Sequence, residues 1–175
     1  MRYGTIITAA AAMALAMPAN ATSASAQPVA PDKNATGKAL VLVPLTLTKL
    51  DDLDFGTLVP SSVSGLVAID AATGNRTVGG GVTGVTSDAG HRARFAGAGT
   101  PNEQVIVTMT QPTELANAGG DKITVLALTL QGTAIKHVDP TTRAFFFGIG
   151  GILLIAADQP EGVYTATFDV SANYQ

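Results

Sequence analysis

Gly162–Gln175 reads GVYTATFDVSANYQ. Tyr164, Ala166, Phe168, Val170, Ala172 and Tyr174 are apolar or aromatic, and Thr165, Thr167, Asp169, Ser171 and Asn173 between them are polar. Side chains of a strand point alternately to its two faces, so this alternation predicts one continuous strand with an unbroken apolar stripe. A terminal strand of that kind either closes the molecule's own sheet or offers an edge to another chain.

Upstream, similar patterns recur at short intervals. Ala39–Lys49 (ALVLVPLTLTK) predicts a first strand, with Pro44, which lacks an N–H, at an edge, bulge or break. Phe55–Val59 and Val63–Ile69 predict two more, and Asp70–Asn75 has turn chemistry before a return through Arg76–Val78. Gly79, Gly80, Gly81 and Gly84 read as a flexible loop. Arg92–Phe95, Gln104–Thr110, Lys122–Leu130, Ala144–Phe147 and Ile152–Ala156 complete the strands, and Asp158–Gly162 turns into the last one. Strands at this spacing with no helical periodicity predict an all-β, immunoglobulin-like sandwich.

The N-terminus carries a different pattern. Arg2 precedes an apolar run from Ile6 to Met17, Pro18 ends it, and small residues follow. This reads as a signal peptide, Met1–Ala26, cleaved after Ala26 or, alternatively, after Ala21. The run is short of the roughly 20 apolar residues needed to span a bilayer, and no other stretch predicts a transmembrane span in the mature chain. The expected location is therefore the periplasm, the cell surface or the medium. Residues 27–38, with Pro28 and Pro31, read as a mobile leader, and residues 39–175 as one domain.

Composition limits the chemistry. With no cysteine there is no disulfide, thiolate nucleophile or thiolate metal site. Removal of Met1–Ala26, in which Arg2 is the one charged residue, takes the formal net charge from −3 to −4. That acidity argues against a nucleic-acid partner. Asp51, Asp52 and Asp54 lack the continuation of a calcium loop and read as a solvated turn. His91 and His137 have no partner at metal spacing, and the glycine run is not followed by the Lys-Ser/Thr of a phosphate cradle. Arg92 and Arg94, with Lys122, suggest at most a small basic spot. The alanine-rich N-terminus points to a bacterial source, where the glycosylation-type triplets that begin at Asn34 and Asn75 carry little meaning. Neither a catalytic group nor a cofactor or metal site is expected, and an enzyme ranks last.

The ending resembles the C-terminal signature of pilus subunits of the chaperone–usher pathway, with Tyr174 penultimate and Gly162 fourteenth from the end. Asp54–Thr57 is similar to the Asp-Phe-Gly-Thr segment near the start of such subunits. Roughly residues 36–175 also resemble DUF4402, a group of small exported bacterial proteins. Its members share a Leu-x-Phe-Gly segment, here Leu53–Gly56, an Ala-Arg-Phe strand, here Ala93–Phe95, and the ending Gly162–Gln175. The pilin resemblance implies a sandwich lacking its last strand. A periplasmic chaperone, delivering to an usher, would lend a strand beside the C-terminal one, and the next subunit's N-terminal extension would replace it, giving self-association into fibres. By that resemblance Tyr164, Phe168, Val170 and Tyr174 line the groove, and Gly162 leaves room for a bulky donor residue or a tight turn.

The chain departs from common pilins in lacking a disulfide, and its leader offers only Val29, Ala30 and Ala35 as apolar residues. The candidate donor segment is therefore Ala39, Val41, Val43, Leu45 and Leu47. If that segment is donated, the fold starts near Phe55. If it is the first strand, the domain closes its own sandwich. The expected function is a structural or adhesive surface component, pilin-like and assembled by strand donation; the alternative is a self-complete, monomeric secreted or envelope-associated binding domain.

Overall fold

The computed structural model describes residues 36–175. The expected signal peptide and most of the expected leader lie outside the described residues. The sandwich occupies the compact unit Leu40–Gln175.

Ten strands form it: β1 Thr46–Asp51, β2 Leu58–Ile69, β3 Arg76–Gly84, β4 Ala93–Ala98, β5 Gln104–Met109, β6 Glu114–Ala116, β7 Lys122–Leu130, β8 Ile135–His137, β9 Ala144–Ile155 and β10 Val170–Tyr174. No helix occurs among the described residues, so none there is long and apolar enough to cross a membrane. The fold is all-β, as the turn spacing predicts. All pairings between strands are antiparallel. Seven strands make a large sheet whose spine is β9, and β10, β5 and β8 make a small one. Ile149 pairs with Ala93 on one edge of β9 and with Leu130 on the other. One edge of β9 thus carries β4 and then β2, while β7 lies along the other, extended by β6.

Alternation along β9 aims Phe145, Phe147, Ile149, Leu153 and Ile155 into the interior, all nearly fully buried. The core has two parts. One gathers Phe95, Val105, Val107, Val138, Phe145, Phe147 and Ile149 between the large sheet and β5. Its rings stack, with Phe95 and Phe147 centroids 5.3 Å apart and Phe145 and Phe147 6.2 Å apart. The other gathers Val67, Val82, Ile123, Val125, Leu153 and Ile155.

Several expected strand limits are corrected. The first strand begins at Thr46 rather than Ala39, because Pro44 cannot donate to a ladder. The second and third strands are one, β2, whose register shifts between Pro60 and Gly65. The expected glycine loop is instead part of β3: Gly79 pairs with Leu66 and Gly80 with Gly65. Backbone pairing needs no side chain there, and a Cβ on Gly81 would collide with the Val63 carbonyl. The two strands expected at 144–156 are likewise one. Gly150 does not interrupt β9, because the backbone of Ile69–Ala71 fills the place of its missing Cβ. The three-residue strands β6 and β8 are too short to show a period.

Candidate functional site

The alternating C-terminal stretch is not one strand. Only Val170–Tyr174 pairs with β5, matching Val170 to Met109, Ala172 to Val107 and Tyr174 to Val105. The preceding residues cross to the other sheet. Thr165 exchanges two backbone hydrogen bonds, both 3.0 Å, with Ala116 of β6. An extended chain keeps its two-residue alternation while it changes sheets, so the sequence pattern does not reveal the break.

The crossing divides the expected groove residues between the two parts of the core. Phe168, Val170 and Tyr174 pack on the Phe147 part, together with Ala172. Tyr164 packs on the other part. Its hydroxyl donates to the Pro160 carbonyl at 2.6 Å and accepts from Gln159 Nε2 at 3.0 Å. Gln159, the one buried polar residue among the described residues, also donates to the Lys122 carbonyl, so this end of the sandwich is sealed internally. Gly162 serves a tight passage: its φ is +153°, and a Cβ would stand 3.0 Å from Asn117 Nδ2. It makes room for its own chain at Asn117.

At the other end a strand edge is open. Among the described residues β10 pairs with β5 alone. Between β10 and the end of β1 lies a groove of about 220 Å³. Ala93, Phe95, Phe168 and Val170 supply its apolar lining, and Lys49, Asp52 and Asp169 its charged lining. Donors and acceptors on an unpaired edge are a template for another strand.

The N-terminal approach to β1 reaches this region from the far end of β10. Leu45 and Leu47 of the candidate donor segment pack into the domain's own core. Ala39, Val41 and Val43 are exposed and outside any strand, and Leu40 and Val41 are 72% and 89% exposed. The segment therefore divides at Pro44. Its last exposed residue is fixed: Val43 N donates to Thr100 Oγ1 at 2.8 Å, and Tyr174 Oη donates to the Val43 carbonyl at 2.7 Å while accepting from Thr100 N at 2.7 Å. Tyr174 is thus a clasp as well as a core residue. Its penultimate position was legible; its partners were not.

The chain matches the model of a domain of unknown function, DUF4402, over residues 45–174. It belongs to the DUF4402 family. No curated protein and no solved structure matches it. The matched region of this DUF4402 domain begins at Leu45, where the chain enters the core, and leaves Ala39–Val43 outside.

The Leu-x-Phe-Gly segment of the DUF4402 domain has a structural account. Arg76, which the sequence reading passed over, sends Nη1 to the carbonyls of Phe55 (3.0 Å), Thr57 (3.2 Å) and Asp88 (2.9 Å), and Nη2 to that of Val85 (2.6 Å). Gly56, at φ +69°, lies so close to Asp88, Arg76 and Gly90 that no Cβ fits. Lone Arg76 among the surrounding glycines was the available signal.

The remaining candidates separate. Asp54 accepts from Gly56 N at 2.7 Å in a turn, Asp52 pairs with Lys49, and Asp51 pairs with Arg94. No group of three or more His, Asp or Glu residues suited to a metal occurs among the described residues. His91 forms a backbone bridge with Asp54, and His137 lies on β8 opposite Gln104. Lys122 pairs with Glu114 on the β6–β7 hairpin, so it does not join Arg92 and Arg94, which line a separate cleft. Asn75 closes the Asp70 turn, and Asn34 lies outside the described residues.

Proposed function

We propose that this protein is an exported structural or adhesive surface component whose domain accepts a strand beside β10, as pilus subunits do. The single observation behind this reading is the unpaired edge of β10, bordered by a groove whose lining includes Phe95, Phe168 and Val170. An incoming strand would pair with that edge and seat alternate apolar side chains on the lining. The donor is the Ala39–Val43 portion of a second copy, released from its own Thr100 and Tyr174, since Leu45 and Leu47 are engaged in their own core. A periplasmic chaperone would fill the groove before assembly, and the N-terminal signal pattern supports export.

One observation favours the alternative, a self-complete monomeric binding domain. β1 already pairs with β4 along Thr46–Asp51 and contributes to the core.

Residues 27–175, purified from periplasm and run unheated and heated on a denaturing gel, separate the two. The strand-accepting reading expects a ladder that collapses on boiling and disappears in a Phe168→Asp variant. A single monomer band under both conditions, with reversible cooperative unfolding, would overturn it in favour of the closed domain.

A further inference from the structure

The Asp70–Asn75 turn and the start of β4 enclose a second concavity, on the outer face of the large sheet. Its volume is about 410 Å³, and Asp51, Thr73, Gly74, His91, Arg92 and Arg94 line it. Small-molecule sites start at roughly 300 Å³. The chain is acidic overall, with five arginines, two of which converge here.

Both arginines are held in place with donors to spare. The stem of Arg92 lies against two glycines: a Cβ on Gly148 would stand 2.9 Å from Arg92 Cδ, and one on Gly74 3.5 Å from Cγ. Arg92 Nη1 donates to the carbonyls of Ala71, at 2.9 Å, and Ala72. Its Nε and Nη2 have no protein partner among the described residues. Arg94 stands on β4 opposite Gly148, whose missing side chain makes room for the Arg92 stem beside it. Its Nε donates to Asp51 Oδ2, and both of its terminal nitrogens are free among the described residues.

We propose that this cleft binds a uronic acid residue, a single carboxylate carried on a polyhydroxylated ring. A guanidinium presents parallel donors that fit the two oxygens of a planar carboxylate. Asp51 selects against more highly charged phosphate or sulfate groups by repulsion. Its second oxygen, Oδ1, is an acceptor for ring hydroxyls, and the His91 ring adds a further polar contact. The cleft lies apart from the β10 groove and is complete within one chain. Its occupancy does not depend on strand exchange, and the two ideas stand or fall separately.

The test is a titration of the monomeric protein with glucuronate, followed by backbone amide chemical shifts, with glucose, acetate and sulfate as controls. The expected result is saturable shifts at Thr73, Gly74, Arg92 and Arg94 with glucuronate, much weaker ones with acetate or sulfate, and none with glucose. Arg94→Gln should weaken glucuronate binding about tenfold or more, the loss of a charge-assisted pair, with the melting temperature unchanged. Arg94→Lys, which keeps the charge and loses the fork, should fall between. No shifts with glucuronate, equal shifts with acetate or sulfate, equal shifts with glucose, or undiminished binding by both variants would each overturn the assignment.

Discussion

At the end of the sandwich that holds Val67, Ile123 and Leu153, the chain covers its own core with Tyr164; at the end that holds Val105, Phe147 and Ile149, the unpaired edge of β10 borders an open groove. Both ends draw on the same C-terminal stretch. At the closed end the stretch supplies Tyr164 and bridges β6, and buried Gln159 ties Tyr164 to the strand start at Lys122. At the open end it supplies Phe168 and β10, and the Tyr174 hydroxyl reaches the approach of β1. A closed edge with internal hydrogen bonds resists another chain, whereas an open edge over apolar side chains accepts one.

The largest expected effects test whether the two ends differ in packing. Leu153→Ala, a change at a site 2% exposed, should cost about 2–5 kcal/mol in urea unfolding. Val170→Ala at the groove, only partly buried, should cost less than half as much; equal losses would break the distinction. Gly56→Ala comes next. It forces a side chain into a left-handed position against the Arg76 clasp, and a loss of about 1–3 kcal/mol is expected in the same experiment.

A smaller pair sharpens the contrast. Tyr164→Phe removes a partner from buried Gln159 and should cost about 1–2 kcal/mol. Tyr174→Phe removes bonds that water can replace, so about 0.5–1 kcal/mol is expected. In that variant limited proteolysis should cut faster between Leu40 and Val43, the segment the hydroxyl secures; an unchanged cleavage rate would remove Tyr174 as a clasp.

The smallest effect is a pH dependence confined to turns. The backbone N–H of Thr73 foremost, with the Thr73 hydroxyl, holds the Asp70 carboxyl below its ordinary value of 3.8. Asp139 is lowered likewise, first by the N–H of Thr142 and then by that of Thr141. A carboxyl whose folded pKa is depressed adds stability above its unfolded pKa and loses it as pH falls through the folded one. Both turns should therefore loosen only below about pH 4, near the ordinary aspartate range. Asp139→Asn should flatten that part of the acid limb, read as amide exchange at Thr141 and Thr142. An identical limb in the variant would assign the loss to other groups.

How far these features were legible depends on whether a local period carried them. Lys122–Leu130 was read with its true limits because it is apolar along most of its length, although the register shift between Val125 and Ala127, after which Leu128 and Leu130 pack on the core, left no mark in the pattern. The pairing of Gly79–Gly84 was hidden, since a glycine in a strand advertises no face. The three residues of β6 were hidden by their brevity. In the candidate groove, Phe168, Val170 and Tyr174 were readable as one apolar stripe, but Tyr164 and Gly162 read the same way and lie at the other end of the core. The cleft beside Arg92 was unreadable as a site, because Asp51 of β1 and the Thr73–Gly74 turn meet Arg92 and Arg94 only in the fold.

By itself the sequence determined that the chain is all-β, where most strands lie, and that Pro44 sits at an edge, a bulge or a break. Side-chain alternation and the missing proline N–H are local properties and act whatever the rest of the chain does. Only the tertiary structure decided that the last stretch serves two sheets, that Leu45 and Leu47 stay in their own core while Ala39–Val43 does not, and that the edge of β10 borders a groove. Those outcomes depend on which backbone groups find partners across the fold, and a period of two is the same for an extended chain whether it stays in one sheet or crosses between two.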